Sequence, residues 1–147
     1  GRKLRQHDGK GLEALLSRVT GDMKRAETPR AQTLAAKLKP YLDKLGALIQ
    51  QAATDLRSDK QPVLLTNASC FLNIFSSCGV SWIWLRQANV AEQALAKGAD
   101  EQDVDFYEGK LAAAEYFLNW ELPLVSRDIE VLTSQDATCN NVKASYF

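Results

Sequence analysis

The sequence predicts an all-α domain, an antiparallel up-and-down four-helix bundle with a long third helix and a polar C-terminal tail. Three observations predict it. Apolar residues recur at steps of three and four along almost the whole chain to Leu132, the period of one face of an α-helix. Turn-forming residues interrupt that pattern at a few points only, as at Thr28-Pro29, Ser58–Pro62 and Lys97-Gly98. Finally, the connections between these segments are short, and short connections between long helices favour antiparallel neighbours. The domain is read as residues 1–132 and the tail as 133–147.

The first helix is expected from about Lys10 to Ala26, with Leu12, Leu15, Leu16, Val19 and Met23 on one side. Thr28 then serves as an N-cap and Pro29 as the first residue of the second helix. That helix carries Leu34, Leu38, Leu42, Leu45, Ile49, Ala52 and Leu56, and the apolar phase survives Pro40. An interior proline removes one backbone hydrogen bond and crowds the preceding turn. The unbroken phase therefore argues for a kinked or nearly collinear pair and against a reversal there. The third helix is expected from Pro62 to Ala96, closed by Lys97 in its last turn and Gly98 after it. A fourth starts at Asp100 or Asp103, carries Phe106, Leu111, Ala114, Phe117 and Leu118, is interrupted by Pro123, and resumes with Val125, Ile129 and Leu132. Beyond Thr133 the chain is polar and aperiodic, which predicts a loosely attached tail.

Composition narrows the function. At 147 residues the chain is the size of one domain, with 18 Lys+Arg balancing 18 Asp+Glu. A net charge of zero gives no long-range field to gather nucleic acid or an anionic membrane. Cys70, Cys78 and Cys139 leave an odd thiol, and the first two are too far apart along one helix to pair. Reduced thiols and a cytoplasmic home are expected. The stretch from Val63 to Leu85 approaches the apolar length of a membrane-spanning helix, but Asn67, Asn73 and several serines interrupt it, so a buried helix is expected and no membrane span.

No catalytic constellation is visible, and no catalytic, cofactor-binding or metal-binding residue is assigned. His7 is the single histidine, so the paired Glu-x-x-His segments of a di-metal bundle are missing. Gly9-Lys10-Gly11 is too short for a phosphate loop and lacks a preceding strand. Cys70 and Cys78 read as core fillers, and Cys139 has no histidine nearby in sequence. Glu108, Glu115 and Glu121 fall on an amphipathic helix, where charge marks the solvated side.

The third helix is more informative. At 100° per residue, Phe71, Phe75, Cys78, Trp82 and Leu85 form one stripe, while Leu72, Gly79, Ile83 and Val90 form a second. Cys70, Ile74, Trp84 and Ala88 lie on another side. A helix apolar around most of its circumference has to be covered around most of it. Either its neighbours in the bundle enclose it, or one side, with Ile74, Trp84 and Ala88 as the candidate interface, docks on a partner.

Two segments carry a resemblance. Ser81-Trp82-Ile83-Trp84-Leu85-Arg86-Gln87-Ala88 and Phe106-Tyr107-Glu108-Gly109-Lys110-Leu111-Ala112-Ala113-Ala114-Glu115-Tyr116-Phe117 resemble the C-terminal helical domain of the acyl-CoA dehydrogenase family. The similar branch includes 3-methylmercaptopropionyl-CoA dehydrogenases and bacterial medium- and long-chain enzymes with a C-terminal extension. Gly1-Arg2-Lys3-Leu4 resembles the segment that closes the dehydrogenase domain there. The resemblance covers the chain to about Pro123. It implies a parent enzyme that dehydrogenates acyl-CoA thioesters with FAD, using a catalytic glutamate upstream of this chain. Implied partners are the remaining dehydrogenase domains or a second subunit, the acyl-CoA substrate of the parent, and a homo-oligomer. The alternative is an independent helical module that binds a protein or an apolar ligand.

Overall fold

A computed structural model describes residues 10–147, with the side chains of Lys10 and Glu13 left out. His7, Gly9 and the Gly1–Leu4 segment lie outside the described residues. The architecture is all-helical and, among the described residues, contains no strand. Helix α1 is Lys10–Lys24, α2 Pro29–Asp55, α3 Gln61–Thr66, α4 Ala68–Ala96, α5 Glu101–Tyr116 and α6 Ser126–Thr133. A π turn, Phe117–Glu121, and a 3-10 turn, Leu122–Val125, join α5 to α6.

Helix α4 is the hub: α1, α2, α3, α5 and α6 all pack on it. Its buried line is Cys70, Ile74, Cys78, Ser81, Leu85, Ala88 and Ala91. Against this line sit Leu34, Leu38 and Leu45 of α2, Leu111 and Ala114 of α5, and Ile129 and Leu132 of α6. Small residues on α4 let its neighbours come close, while the leucines opposite fill the space between. Ser81 is fully buried at no cost in unpaired groups, because its hydroxyl donates to the Ser77 carbonyl at 2.7 Å.

Several elements differ from the sequence expectation, each for a physical reason. Helix α1 stops at Lys24 instead of Ala26 and tightens, with Arg25 N–H donating to the Asp22 carbonyl and Ala26 N–H to that of Met23. Pro40 lies inside α2, which stays one helix as the unbroken phase implied. The expected third helix is two, α3 and α4, separated at Asn67. The Asn67 side chain is drawn aside to donate to the Asp136 carbonyl at 2.7 Å. The stop of α4 is as expected, with Gly98 taking φ +84°, a backbone that suits glycine.

Helix α5 starts after Asp100. Ahead of Pro123 its last turn widens into the π turn. Proline has no N–H to give and its ring crowds the carbonyl four residues back, so the ladder is re-spaced there. The tail is less loose than its composition suggests. Gln135 donates to Asp55 at 2.9 Å and accepts from Lys60 at 2.6 Å, and Thr66 reaches Asn140 at 3.4 Å. These bonds clasp the start of the tail to α2 and α3, while Phe147 at the end is fully exposed.

Candidate interface on the central helix

The sides of α4 follow from its turn geometry. Taking Ser81 as the centre of the buried line, Leu72, Gly79, Ile83 and Val90 all lie within about 20° of the opposite side. Leu72 is 61% exposed, Ile83 49% and Val90 63%. Val80 stands exposed on the flank, about 80° away, and exposed Phe106 on α5 shares with Ile83 and Val90 a groove that Arg25, Arg86 and Lys110 also line. A second groove runs between α1 and α4, where Leu15, Leu16 and Val19 face Leu72, Phe75 and Ile83. By length and composition α4 is also long and apolar enough to cross a membrane. Its buried line is nevertheless the packing centre of this chain.

The two tryptophans flank the open side. Trp82 donates its indole N–H to Asp22 of α1 at 2.9 Å and lies under Arg86, which also reaches Asp22 at 3.8 Å. Trp84 is half-buried on the other flank, with the Lys110 ammonium 5.8 Å from its ring centre. The expected interface residues are therefore split. Ile74 and Ala88 are fully buried in the chain's own core, and Trp84 lies partly covered. They do not form the open face. A separate outward row, Tyr116, Trp120 and Leu124, follows the π turn, with the two aromatic rings stacked at 6.4 Å.

The polar groups hold helices together. At the start of α2, Thr28 is extended and makes no side-chain cap of its own helix. Glu92 of α4 performs that task from across the fold, accepting from Arg30 N–H at 3.0 Å and from Ala31 N–H at 3.2 Å. Asn89 accepts from Glu27 N–H and the Thr28 hydroxyl. Burial pulls the Glu92 carboxyl upward, yet the hydrogen bonds and the Arg30 charge outweigh it and hold the group below its ordinary range. Arg30 in turn bridges Glu115 and Glu108 of α5 at 2.8 Å each. Glu121 accepts from Tyr116. The three glutamates thus serve as pairing groups and show no reacting partner.

The two core thiols are held toward their neutral form. Burial pushes Cys78 up to about 12, and burial with the nearby Asp128 carboxylate raises Cys70 as well. Cys139 is exposed, and all three are free. A cavity of about 190 Å³ lies under α3, walled by Leu48, Ala52, Leu64, Phe71 and Leu132, with Asp55 and Gln135 at its edge. Among the described residues, no group of three histidine, cysteine or acidic side chains gathers that could hold a metal ion.

The open aliphatic stripe was visible in the periodicity as one of three apolar sides. Which side would stay open was not, since that depends on where α2, α5 and α6 dock. Comparison with known proteins gives the arrangement a context. A stretch of 57 residues is 42% identical to the broad-specificity linear acyl-CoA dehydrogenase FadE5 of Mycobacterium tuberculosis. That match takes in 39% of this chain and 9% of the relative's length. The family described as acetyl-CoA dehydrogenase C-terminal like matches residues 15–143, nearly all that the structure describes, and the chain belongs to that family.

Proposed function

We propose that this chain is the helical C-terminal domain of a FAD-dependent acyl-CoA dehydrogenase and that its own contribution is packing, with catalysis carried by the parts that precede it. The match over residues 15–143 carries this reading. The partial likeness to a dehydrogenase of linear acyl-CoA thioesters supports the substrate class, and the two resembling segments support the branch with medium- and long-chain enzymes. The four long helices α1, α2, α4 and α5 are read as an up-and-down bundle, to which α3 and α6 are added. Parent enzymes built this way are read as cytoplasmic homo-oligomers, with FAD and the acyl-CoA thioester held upstream of this chain.

The test compares two proteins. The full-length parent should bleach its flavin on addition of an acyl-CoA thioester, whereas the purified 147-residue chain should be colourless and inert. Stoichiometric flavin copurifying with the chain alone would overturn the reading. An independent helical binding module is the competing reading, and a gene whose natural start codon lies at or just before Gly1 would favour it.

A further inference from the structure

A helix on the outside of a soluble domain ordinarily turns a polar side to water. Helix α4 does not. Between Leu72 and Val90 its open side runs for about 27 Å along the axis and presents Leu72, Gly79, Ile83 and Val90 in sequence, with Val80 and Phe106 alongside. Among the described residues, α1 and α5 border this stripe without covering Leu72, Ile83 and Val90, so a cover has to come from outside them.

The direction of α1 indicates what that is. Asp22, near the end of α1, is fastened to Trp82 and Arg86 in the middle of α4. Glu27, Thr28 and Arg30 then meet Asn89 and Glu92 near the end of α4. Helix α1 therefore runs alongside α4 in the same sense, and its beginning lies toward the Leu72 end of the open stripe. Leu15 and Leu16 border the groove that Leu72 and Ile83 line. The first described helix thus begins, at Lys10, toward this end of the stripe. The matched stretch amounts to 9% of the relative's length, so a protein of that size has a large body outside it, which the C-terminal description of the matching family puts upstream. A tethered body meets a nearby face at an effective concentration on the order of millimolar, which a free second copy does not match.

We propose that the Leu72–Ile83–Val90 face of α4 is the surface by which this domain lies on the dehydrogenase body preceding it in the same polypeptide. The proposal rests on the reading of the chain as a C-terminal domain. Carbene footprinting with peptide mass spectrometry tests it on the full-length enzyme and on the 147-residue chain. Labelling of Leu72, Ile83 and Val90 should fall severalfold in the full-length enzyme and stay low on dilution. Equal labelling in the two proteins, in an enzyme that still oxidises acyl-CoA, would sink the proposed face and leave the C-terminal-domain reading intact. Protection lost on dilution would assign the face to a neighbouring subunit. Protection that appears in the 147-residue chain as its concentration rises, together with a dimer in sedimentation, would assign it to a second copy. Either result overturns the proposal. An Ile83→Glu variant gives a second readout. It should leave the helical signal of the 147-residue chain unchanged and restore labelling of Leu72 and Val90 in the full-length enzyme. A full-length Ile83→Glu enzyme in which those two residues stay protected would count against the face.

Discussion

Glu92 shows how much one side chain can contribute without chemistry. It satisfies two of the backbone N–H groups that every helix start leaves unpaired. Replacing it with alanine should destabilise the chain by about 1 kcal/mol, the usual cost of losing a cap, measured by urea denaturation. Its pH dependence has a definite sign. The folded carboxyl titrates below its ordinary value, so its stabilisation is complete above the unfolded range. It is lost as the pH falls through the lowered value. The difference in melting temperature between wild type and Glu92→Gln should therefore be present at neutral pH and shrink as the pH falls below the ordinary carboxylate range. The thiols sort by the same local physics. A maleimide should modify Cys139 in the native protein and reach Cys70 and Cys78 only after unfolding, as their exposure and raised values require. Rapid native labelling of Cys78 would show that the core around it is open. The burial of both core cysteines was legible in sequence, since both fall on an apolar stripe. The role of Glu92 was not, because its partners lie about sixty positions earlier and no local pattern connects them.

At the scale of elements, α4 divides into a side that the chain needs and a side that it does not. Leu85→Ala, on the buried line, should cost 2–5 kcal/mol through the cavity that it leaves (roughly the range for such truncations). Ile83→Ala, on the open side, should change the stability of the 147-residue chain by less than about 0.5 kcal/mol. Paired denaturation curves decide it, and similar losses at both positions would mean that the open side is covered. Helix existence was readable from sequence because α1 and α2 hold a steady period of three and four, while α4 and α5 are marked off by their turn residues. Breaks were harder. Pro40 left the phase of α2 intact and so could be judged in advance. The division at Asn67 comes from a bond to the Asp136 carbonyl, far along the chain, and the apolar pattern runs on through it. Pro123 announced an interruption, but whether the chain would loop or widen into a π turn depended on packing by Leu118, Leu122 and Val125, all buried.

For the whole molecule, the geometry is that of a helical body with polar groups bonded across its seams and part of its apolar surface facing outward. The sequence carried the over-apolar helix. It did not carry the choice of outward side, which is settled by five neighbours docking at once. If the open stripe is a joint, the 147-residue chain should bind an environment-sensitive hydrophobic dye more strongly than the full-length enzyme does per mole of domain, read by fluorescence titration. Equal binding would argue that the stripe stays wet in both. The cap that Glu92 supplies also has a consequence in time. On a nascent chain, the first turn of α2 leaves the ribosome 62 residues ahead of the carboxylate that completes it. Until α4 is made and docked, that turn can fray, and its hydrogen bonds belong to the last stage of assembly. Weakening Glu92 should therefore quicken unfolding and leave the refolding rate nearly unchanged. In stopped-flow traces, only one arm of the chevron would move.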